Sequence, residues 1–203
     1  VGTDPHRTVL ALQVHETTVL HPTSKDCGKG LFRERDYTAD ALITNEPGLA
    51  LVVFSADCGI LLLHDPVLHA GWRGCAAGIV EKTVQAMTQA FGTQPKDLLA
   101  AVGPCIGPCC FETDQDVPDA MTAALGAQAA PLMQRRGVKW HVDLAGLNRQ
   151  WLLRAGVLPD HVETCGLCTA CHPDLFWSHR KMGQARGSQI AMAALPLPEE
   201  TLL

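Results

Sequence analysis

Two side chains that could do nucleophilic or metal chemistry, Cys58 and His69, lie eleven residues apart in an otherwise apolar stretch. A thiol and an imidazole at the ends of a strand could form a thiolate–imidazole pair for nucleophilic catalysis. They could equally be two ligands of a metal, because thiolate and imidazole are the usual zinc donors. Free cysteines also often do nothing but pack. The spacing alone leaves these three interpretations open.

A catalytic zinc site usually takes three protein ligands and keeps one position open. Among the other histidines, His15 in "LQVHETT" is the best placed third donor, although it could also be an ordinary polar residue at a strand end. His141 could be a ligand or could cap the helix that follows it. His64 precedes Asp65 and Pro66 and is predicted to lie in a turn.

Arg73 follows Trp72 in the glycine-bounded stretch "HAGWRG". An arginine buried beside a tryptophan needs an anionic partner, and a phosphate or carboxylate of a substrate would supply one. We therefore expect Arg73 to bind substrate.

Two groups of cysteines are candidates for structural roles. The segment "TCGLCTACH" has C-x-x-C spacing at Cys165, Cys168 and Cys171, but a structural zinc normally needs a second C-x-x-C pair, and the chain has none. Cys109 and Cys110 are adjacent and poorly disposed to share one metal unless their loop turns sharply. We expect both groups to be structural rather than functional.

The elements that position these residues follow from the hydrophobic pattern. Residues 7–20 predict a strand, residues 21–38 a loop, and residues 39–63 two strands around the turn at residues 45–48, the second of them central in a sheet. Helices are predicted over residues 75–92, with Gly92 as C-cap, over residues 116–130 and over residues 142–157. The pattern also predicts short strands near residue 100 and around Phe176, and a final apolar strand.

Composition limits the classes of function. The 203 residues suit one domain, and the net charge of −5 offers no electrostatic footprint for nucleic acid. The chain has no polybasic run, its longest apolar run is interrupted by Asp57, and no secretory signal is visible, so we expect no membrane association. Nine cysteines, an odd number, argue against a disulfide framework and point to the cytoplasm.

The motifs together resemble a known family. "LQVHETTV", "ADALIT", "GLALVVFSADCGILLLHDP", "HAGWRG", "VGPCIGPCCFE" and "CTACHPDLFWSHR" occur in the order found in the YfiH or laccase-domain family, also called the multicopper polyphenol oxidase or purine nucleoside phosphorylase family. The resemblance covers nearly the whole chain. It implies a single α+β domain with mixed β-sheets packed between helices.

The same resemblance implies a metal site and an activity. The family's ligands to zinc, or to copper in some members, match His15, Cys58 and His69. Members are described as phosphorylysing adenosine, inosine and methylthioadenosine and as deaminating adenosine. Phosphorolysis needs an anion pocket, for which Arg73 and Arg180 are the candidates, with Cys58, His69 and Arg73 as catalytic residues. The expected partners are a purine nucleoside and phosphate.

Other activities remain open at this point. Some relatives look like cytoplasmic cysteine hydrolases, which would use Cys58 as nucleophile and His69 as base. Polyphenol oxidation of the laccase type needs several coppers, which one His/Cys/His set does not provide. A metal-binding interaction protein without turnover is the non-enzyme alternative.

The chain departs from the family pattern in two places. Pro66 runs directly into Val67 where relatives usually carry several more residues, and the glycine-rich segment that normally precedes the "QVH" motif is missing. We therefore expect residues 1–203 to form one laccase-type domain that lacks its N-terminal segment.

Overall fold

The computed structural model describes residues 3–63 and 67–197. The turn predicted at His64 and the Pro66 side of the junction with Val67 lie outside the described residues. Within them the chain forms the strands β1 (Thr8–Leu10), β2 (Val19–Leu20), β3 (Ala41–Leu42), β4 (Ala50–Ser55), β5 (Gly59–Leu63), β6 (Val67–Ala70), β7 (Ala100–Val102), β8 (Glu112–Thr113), β9 (Met133–Arg136), β10 (Lys139–Val142), β11 (Val162–Thr164) and β12 (Gln189–Ala194). Its helices are α1 (Trp72–Ala76), α2 (Ile79–Phe91), α3 (Asp116–Leu125), α4 (Leu144–Arg154) and α5 (His179–Met182).

The strands form a large mixed sheet and two small ones. The six-stranded sheet has the order β11-β7-β5-β6-β3-β2, and the three-stranded sheets have the orders β1-β4-β12 and β8-β10-β9. Parallel pairs (β1 with β4, β2 with β3, β7 with β11) occur beside antiparallel ones. The predicted α+β class with mixed sheets is confirmed.

Alternating side chains of the six-stranded sheet enter two separate cores. Leu61 and Leu63 of β5 pack in the larger core with α2 and α4, whereas Ile60 packs in the smaller core with residues of β1 and β4 such as Val9 and Leu51. This is the two-residue period of a strand that is buried on both faces. The six-stranded sheet is therefore the middle layer, with helices on one face and the small β1-β4-β12 sheet on the other.

Two predicted strands are interrupted, one at the candidate ligand His15 and the other at Asp57, next to the candidate ligand Cys58. The strand predicted over residues 7–20 is broken between β1 and β2, where His15 has a φ of 63°. The strand predicted across residues 49–63 is split into β4 and β5, which belong to different sheets, by a turn in which Asp57 has a φ of 83°. Left-handed backbone at a residue other than glycine cannot continue a strand.

Most of the other predicted elements form with somewhat different ends, whereas the strands β6, β8, β9, β10 and β11 were not predicted. The helix expected over 75–92 is α2, preceded by the short α1, and Gly92 ends it in the predicted left-handed conformation. The helix expected over 116–130 ends earlier, because Gly126 interrupts it and the chain continues in 3-10 turns. The strand predicted around Phe176 is wrong: the amide of Phe176 donates to the carbonyl of His172, which makes a turn. No helix in the described residues has the length and apolar character needed to cross a bilayer.

Candidate active and metal site

The structure brings His15, Cys58 and His69 together from three different segments. His15 lies in the loop between β1 and β2, Cys58 in the turn between β4 and β5, and His69 on β6. Antiparallel pairing of β5 with β6 sets Gly59 opposite Ala70, which carries His69 to the end of the strand where Cys58 lies. The three ligand atoms all lie within 4.8 Å of one another, and Cys58 Sγ is 3.9 Å from His15 Nε2.

The carboxylate of Asp40 positions His15 and His69 through hydrogen bonds. Its Oδ1 accepts hydrogen bonds from His69 Nδ1 at 2.9 Å and from the amide of His15 at 3.0 Å. Its Oδ2 accepts from the amides of Val14 at 3.1 Å and Glu16 at 2.9 Å. The three amide bonds fold the His15 loop around a fully buried carboxylate. The bond from Nδ1 orients the ring of His69 so that Nε2 is its free nitrogen.

Asp40 was not predicted to be a site residue. The available signal was a charged residue inside the apolar stretch "ADALIT", since a buried carboxylate is rare unless it is paired. Its position in space relative to His69 depends on the pairing of β3 with β6 and could not be obtained from the local pattern.

The electrostatics of the metal-free site favour a thiolate beside an imidazolium. Burial by itself would raise the pKa of Cys58, but hydrogen bonds from His15 and His69 and their charges lower it to about 6. Burial would lower the pKa of His69, yet the hydrogen bonds to Asp40 and Cys58 raise it to about 9. Burial opposes ionisation of Asp40 too, but the hydrogen bonds from His69 and from backbone amides lower its pKa. Near neutral pH all three groups are therefore charged.

Asp57 holds the turn that presents Cys58. Its side chain is buried; Oδ1 accepts from Thr169 Oγ1 at 2.6 Å and Oδ2 from the amide of Arg180 at 2.7 Å. A left-handed non-glycine residue costs of the order of 1–3 kcal/mol and persists only where its surroundings hold it. These two hydrogen bonds come from distant parts of the chain, so the position of Cys58 depends on the tertiary structure.

The residues at this site fit a zinc ion. Two imidazoles and a thiolate are zinc donors, and three protein ligands leave one position for water or substrate. The hydrogen bond from His69 Nδ1 to Asp40 is the carboxylate–histidine arrangement that usually supports a metal-bound imidazole. His15, Cys58 and His69 would hold the ion.

The donor group opens into a cleft of about 560 Å³, a volume usual for small-molecule sites. Aromatic side chains and guanidinium groups line much of it: Phe54, Trp72, Phe111, Arg35, Arg73, Arg180 and Arg186. The only carboxylate among the lining residues is that of Asp57. The cleft therefore combines apolar walls with an excess of positive charge.

The two arginines predicted to bind substrate both line this cleft but differ in their surroundings. Arg73 is exposed rather than buried as expected, and its guanidinium lies 4.4 Å from the centroid of the Trp72 ring. Arg180 donates from Nη1 to the carbonyl of Cys110 and from Nη2 to that of Glu112, both at 3.0 Å. Arg73 therefore faces the cleft opening, while Arg180 also braces the cleft wall. Arg35 and Arg186, which also line the cleft, were not predicted.

Other predicted candidates lie elsewhere. His141 is on β10, where its Nδ1 hydrogen-bonds to the carbonyl of Pro108 at 2.7 Å, and the cap of α4 is Asp143 instead. Cys165 is exposed and stands apart from the other cysteines of its motif. Cys168 and Cys171 instead meet Cys109 and Cys110, so the adjacent pair is better disposed than the sequence suggested.

Comparisons with known proteins identify the family of the chain. The family model described as "Multi-copper polyphenol oxidoreductase laccase" matches residues 1–196. The protein named "Purine nucleoside phosphorylase YlmD" of Bacillus subtilis is 34% identical over 191 residues, which is 89% of this chain and 68% of that protein. A "Purine nucleoside phosphorylase" of Bacteroides thetaiotaomicron is 34% identical over 192 residues, 90% of this chain and 71% of that protein.

Solved structures extend the likeness to the fold. The structure of Bacillus licheniformis "hypothetical protein YfiH" superposes with a TM-score of 0.90 at 32% identity, covering 96% of this chain and 76% of that one. YlmD from Geobacillus stearothermophilus gives a TM-score of 0.88 at 31% identity, covering 95% of this chain and 74% of that one. The chain thus belongs to the multi-copper polyphenol oxidoreductase laccase family, which includes the YfiH and YlmD proteins.

Proposed function

We propose that this protein is a zinc-dependent purine nucleoside phosphorylase acting on adenosine, inosine and methylthioadenosine. The observation that carries the proposal is that His15, Cys58 and His69 open into one cleft lined by aromatic rings and four arginines. The names of the curated relatives support the same activity. The odd number of cysteines fits a reducing compartment, so the proposed location is the cytoplasm.

The cleft offers separate groups for the two substrates. Phe54 and Phe111 provide apolar surface of the kind on which a purine ring stacks. Arg73 provides a guanidinium at the opening, where a phosphate could be bound bidentately. In phosphorolysis a phosphate oxygen bonds to C1′ of the ribose while the C1′–N9 bond breaks, and the purine leaves with the electron pair and takes up a proton. Arg73 and Arg180 would bind the phosphate and stabilise its charge.

Deamination of adenosine is the second activity that we propose for the same cleft, in which a water oxygen would bond to C6 and ammonia would leave. Zinc held by His15, Cys58 and His69 would lower the pKa of a bound water toward neutrality, which is what hydrolysis at C6 of adenine requires. The role of Asp40 in both reactions is to hold His69 with Nε2 facing the cleft. Copper would suit the same three donors, but laccase chemistry needs several coppers, so polyphenol oxidation is not favoured.

The test is product analysis with zinc-loaded protein. Inosine incubated with phosphate should give hypoxanthine and ribose 1-phosphate, and adenosine should give adenine together with inosine. Base release should stop when phosphate is omitted. Release that continues without phosphate would mean hydrolysis, and no product from any of the three nucleosides would refute the proposal.

A pair of arginine variants tests the anion pocket. Arg73→Ala should raise the KM for phosphate about tenfold or more, because a charge-assisted hydrogen bond contributes about 1.5–3 kcal/mol. Arg136→Ala is the matched control, since Arg136 is an exposed arginine on β9 whose guanidinium, within the described residues, hydrogen-bonds to Gln134 alone. Equal phosphate KM values for the two variants would remove Arg73 from the pocket.

A second candidate function is a cysteine hydrolase, favoured by the chain of contacts from Cys58 to His69 to Asp40. A nucleophile, a base and an orienting carboxylate are the parts that covalent acyl transfer requires. Metal-free protein that is active, and that loses activity when Cys58 is alkylated, would favour this function. Activity found only with zinc would exclude it.

A further inference from the structure

Four cysteines outside the candidate active site converge at one edge of the large sheet. Cys109 and Cys110 lie in the loop after β7, and Cys168 and Cys171 lie in the loop after β11. All four sulfur atoms lie within 4.8 Å of one another. Cys171 Sγ is 3.5 Å from Cys109 Sγ and 3.4 Å from Cys110 Sγ.

The backbone explains why these two loops meet. The strands β7 and β11 are parallel neighbours, so their carboxyl ends lie at the same edge of the sheet. The loops are joined by the amide of Thr169 donating to the carbonyl of Cys105 at 3.1 Å. In addition, the amide of Gly107 donates to Cys168 Sγ at 3.2 Å.

A sharp turn lets two adjacent cysteines face the same point. The amides of Cys110 and Phe111 both donate to the carbonyl of Gly107, at 3.0 and 2.8 Å. Cys168 and Cys171 are also in a turn, closed by the amide of Cys171 donating to the carbonyl of Cys168 at 3.2 Å. The chain has no second C-x-x-C motif, but the adjacent residues Cys109 and Cys110 form the second pair of candidate ligands.

The spacing suits one tetrahedral metal ion. Thiolates bound to zinc at about 2.3 Å stand about 3.8 Å apart at the corners of a tetrahedron, close to the two shortest separations here. A disulfide would need about 2.05 Å between two sulfur atoms and would use only two of the four. We propose that Cys109, Cys110, Cys168 and Cys171 form a second metal site, which binds a single zinc ion as thiolates.

The surroundings are compatible with this site. Cys109 and Cys171 are exposed, which gives an ion a path of entry, while Cys168 is buried. On binding, each thiol would lose its proton to solvent. The guanidinium of Arg180 donates to the backbone carbonyl of Cys110, which places a positive charge beside one of the proposed ligand residues.

The site would also support the active cleft. Thr169 lies between two of the proposed ligands, and its hydroxyl donates to Asp57, the residue before Cys58. Zinc bound to Cys168 and Cys171 would therefore hold the turn that presents Cys58. This second site does not depend on the proposed nucleoside activity, because its ligands are different residues.

Metal analysis of the full chain purified under reducing conditions with Zn²⁺ supplied tests the proposal. The wild-type protein should contain two zinc ions per chain, and the His15→Ala/Cys58→Ala variant should contain one. Cys109→Ser/Cys171→Ser should lose one ion and keep the other. Cys165→Ser is the matched control, an exposed cysteine of the same loop outside the group, and should keep both.

Cobalt gives a readout that does not depend on the serine variants folding. Co²⁺ added to the His15→Ala/Cys58→Ala variant should give the strong visible absorption of tetrahedral thiolate coordination, with one equivalent at saturation. The four thiols should then resist a thiol reagent while Cys165 still reacts. An absence of this absorption, zinc content unchanged in Cys109→Ser/Cys171→Ser, or a disulfide among the four cysteines in the reduced preparation would each overturn the proposal.

Discussion

Asp40 is the buried acceptor on which both histidines of the candidate active site depend, and Asp40→Asn changes its chemistry with little change of shape. Asparagine keeps one acceptor oxygen and replaces the other by an NH₂ donor. Each carboxylate oxygen of Asp40 now accepts two hydrogen bonds. Whichever way the amide is oriented, its NH₂ therefore faces two groups that now donate to Asp40.

The expected losses of stability and of zinc affinity depend on which two donors lose their acceptor. If the NH₂ faces the amides of Val14 and Glu16, each unsatisfied N–H costs about 1–3 kcal/mol, at the low end because this loop is partly exposed. If it faces His69, the ring must accept at Nδ1 and carry its proton on Nε2, which blocks the nitrogen that faces the metal. We expect the free energy of unfolding to fall by about 2–3 kcal/mol and zinc affinity to fall about 10–100-fold.

The assay combines urea unfolding with zinc competition against a chelator, both on Cys109→Ser/Cys171→Ser protein so that one class of site is measured. Asp36→Asn is the control, since Asp36 is an exposed carboxylate that pairs with Lys29 rather than with a residue of the metal site. It should leave zinc affinity unchanged. If Asp40→Asn binds zinc as tightly as Asp36→Asn and unfolds at the same urea concentration, Asp40 does not organise the site as argued.

Three further outcomes are expected. In metal-free protein, the rate of alkylation of Cys58 should rise with pH with a midpoint near pH 6, because its lowered pKa leaves the thiolate present above that pH and lost below it. A midpoint near pH 9 would contradict the pairing of a thiolate with an imidazolium. Added zinc should protect the thiol. Gly59→Ala should weaken zinc binding and stability together, since a Cβ there would lie 2.6 Å from Asn148 Nδ2 and 2.9 Å from the backbone carbonyl oxygen of Ala70, beside His69, and would force β5 and β6 to shift. Chelator competition and urea unfolding would detect both losses, and unchanged values would refute the prediction. Leu147→Ala, which empties a fully buried position, should lower the free energy of unfolding in urea by about 2–5 kcal/mol. Leu175→Ala, at a position that is 63% exposed, should lower it little. Similar losses of stability for the two variants would be inconsistent with the assigned core.

The predicted helices and most strands could be read from the sequence because their signals are local. The apolar period of α2 and the left-handed Gly92 after it need no knowledge of the rest of the chain. The breaks at His15 and Asp57 could not be predicted in this way. Each left-handed residue is held by hydrogen bonds to a side chain or backbone group far along the chain.

By itself, the sequence determined which residue types are available for chemistry: the thiol of Cys58, the imidazoles of His15 and His69, and a family resemblance that the comparisons confirm. Only the tertiary structure decided how they are used. Asp40 acquires its role through pairing between β3 and β6, and the four cysteines meet because β7 and β11 are parallel neighbours. The physical reason is that a ligand set is defined by distances in space, and the strand register that creates those distances depends on packing contacts between segments distant in sequence.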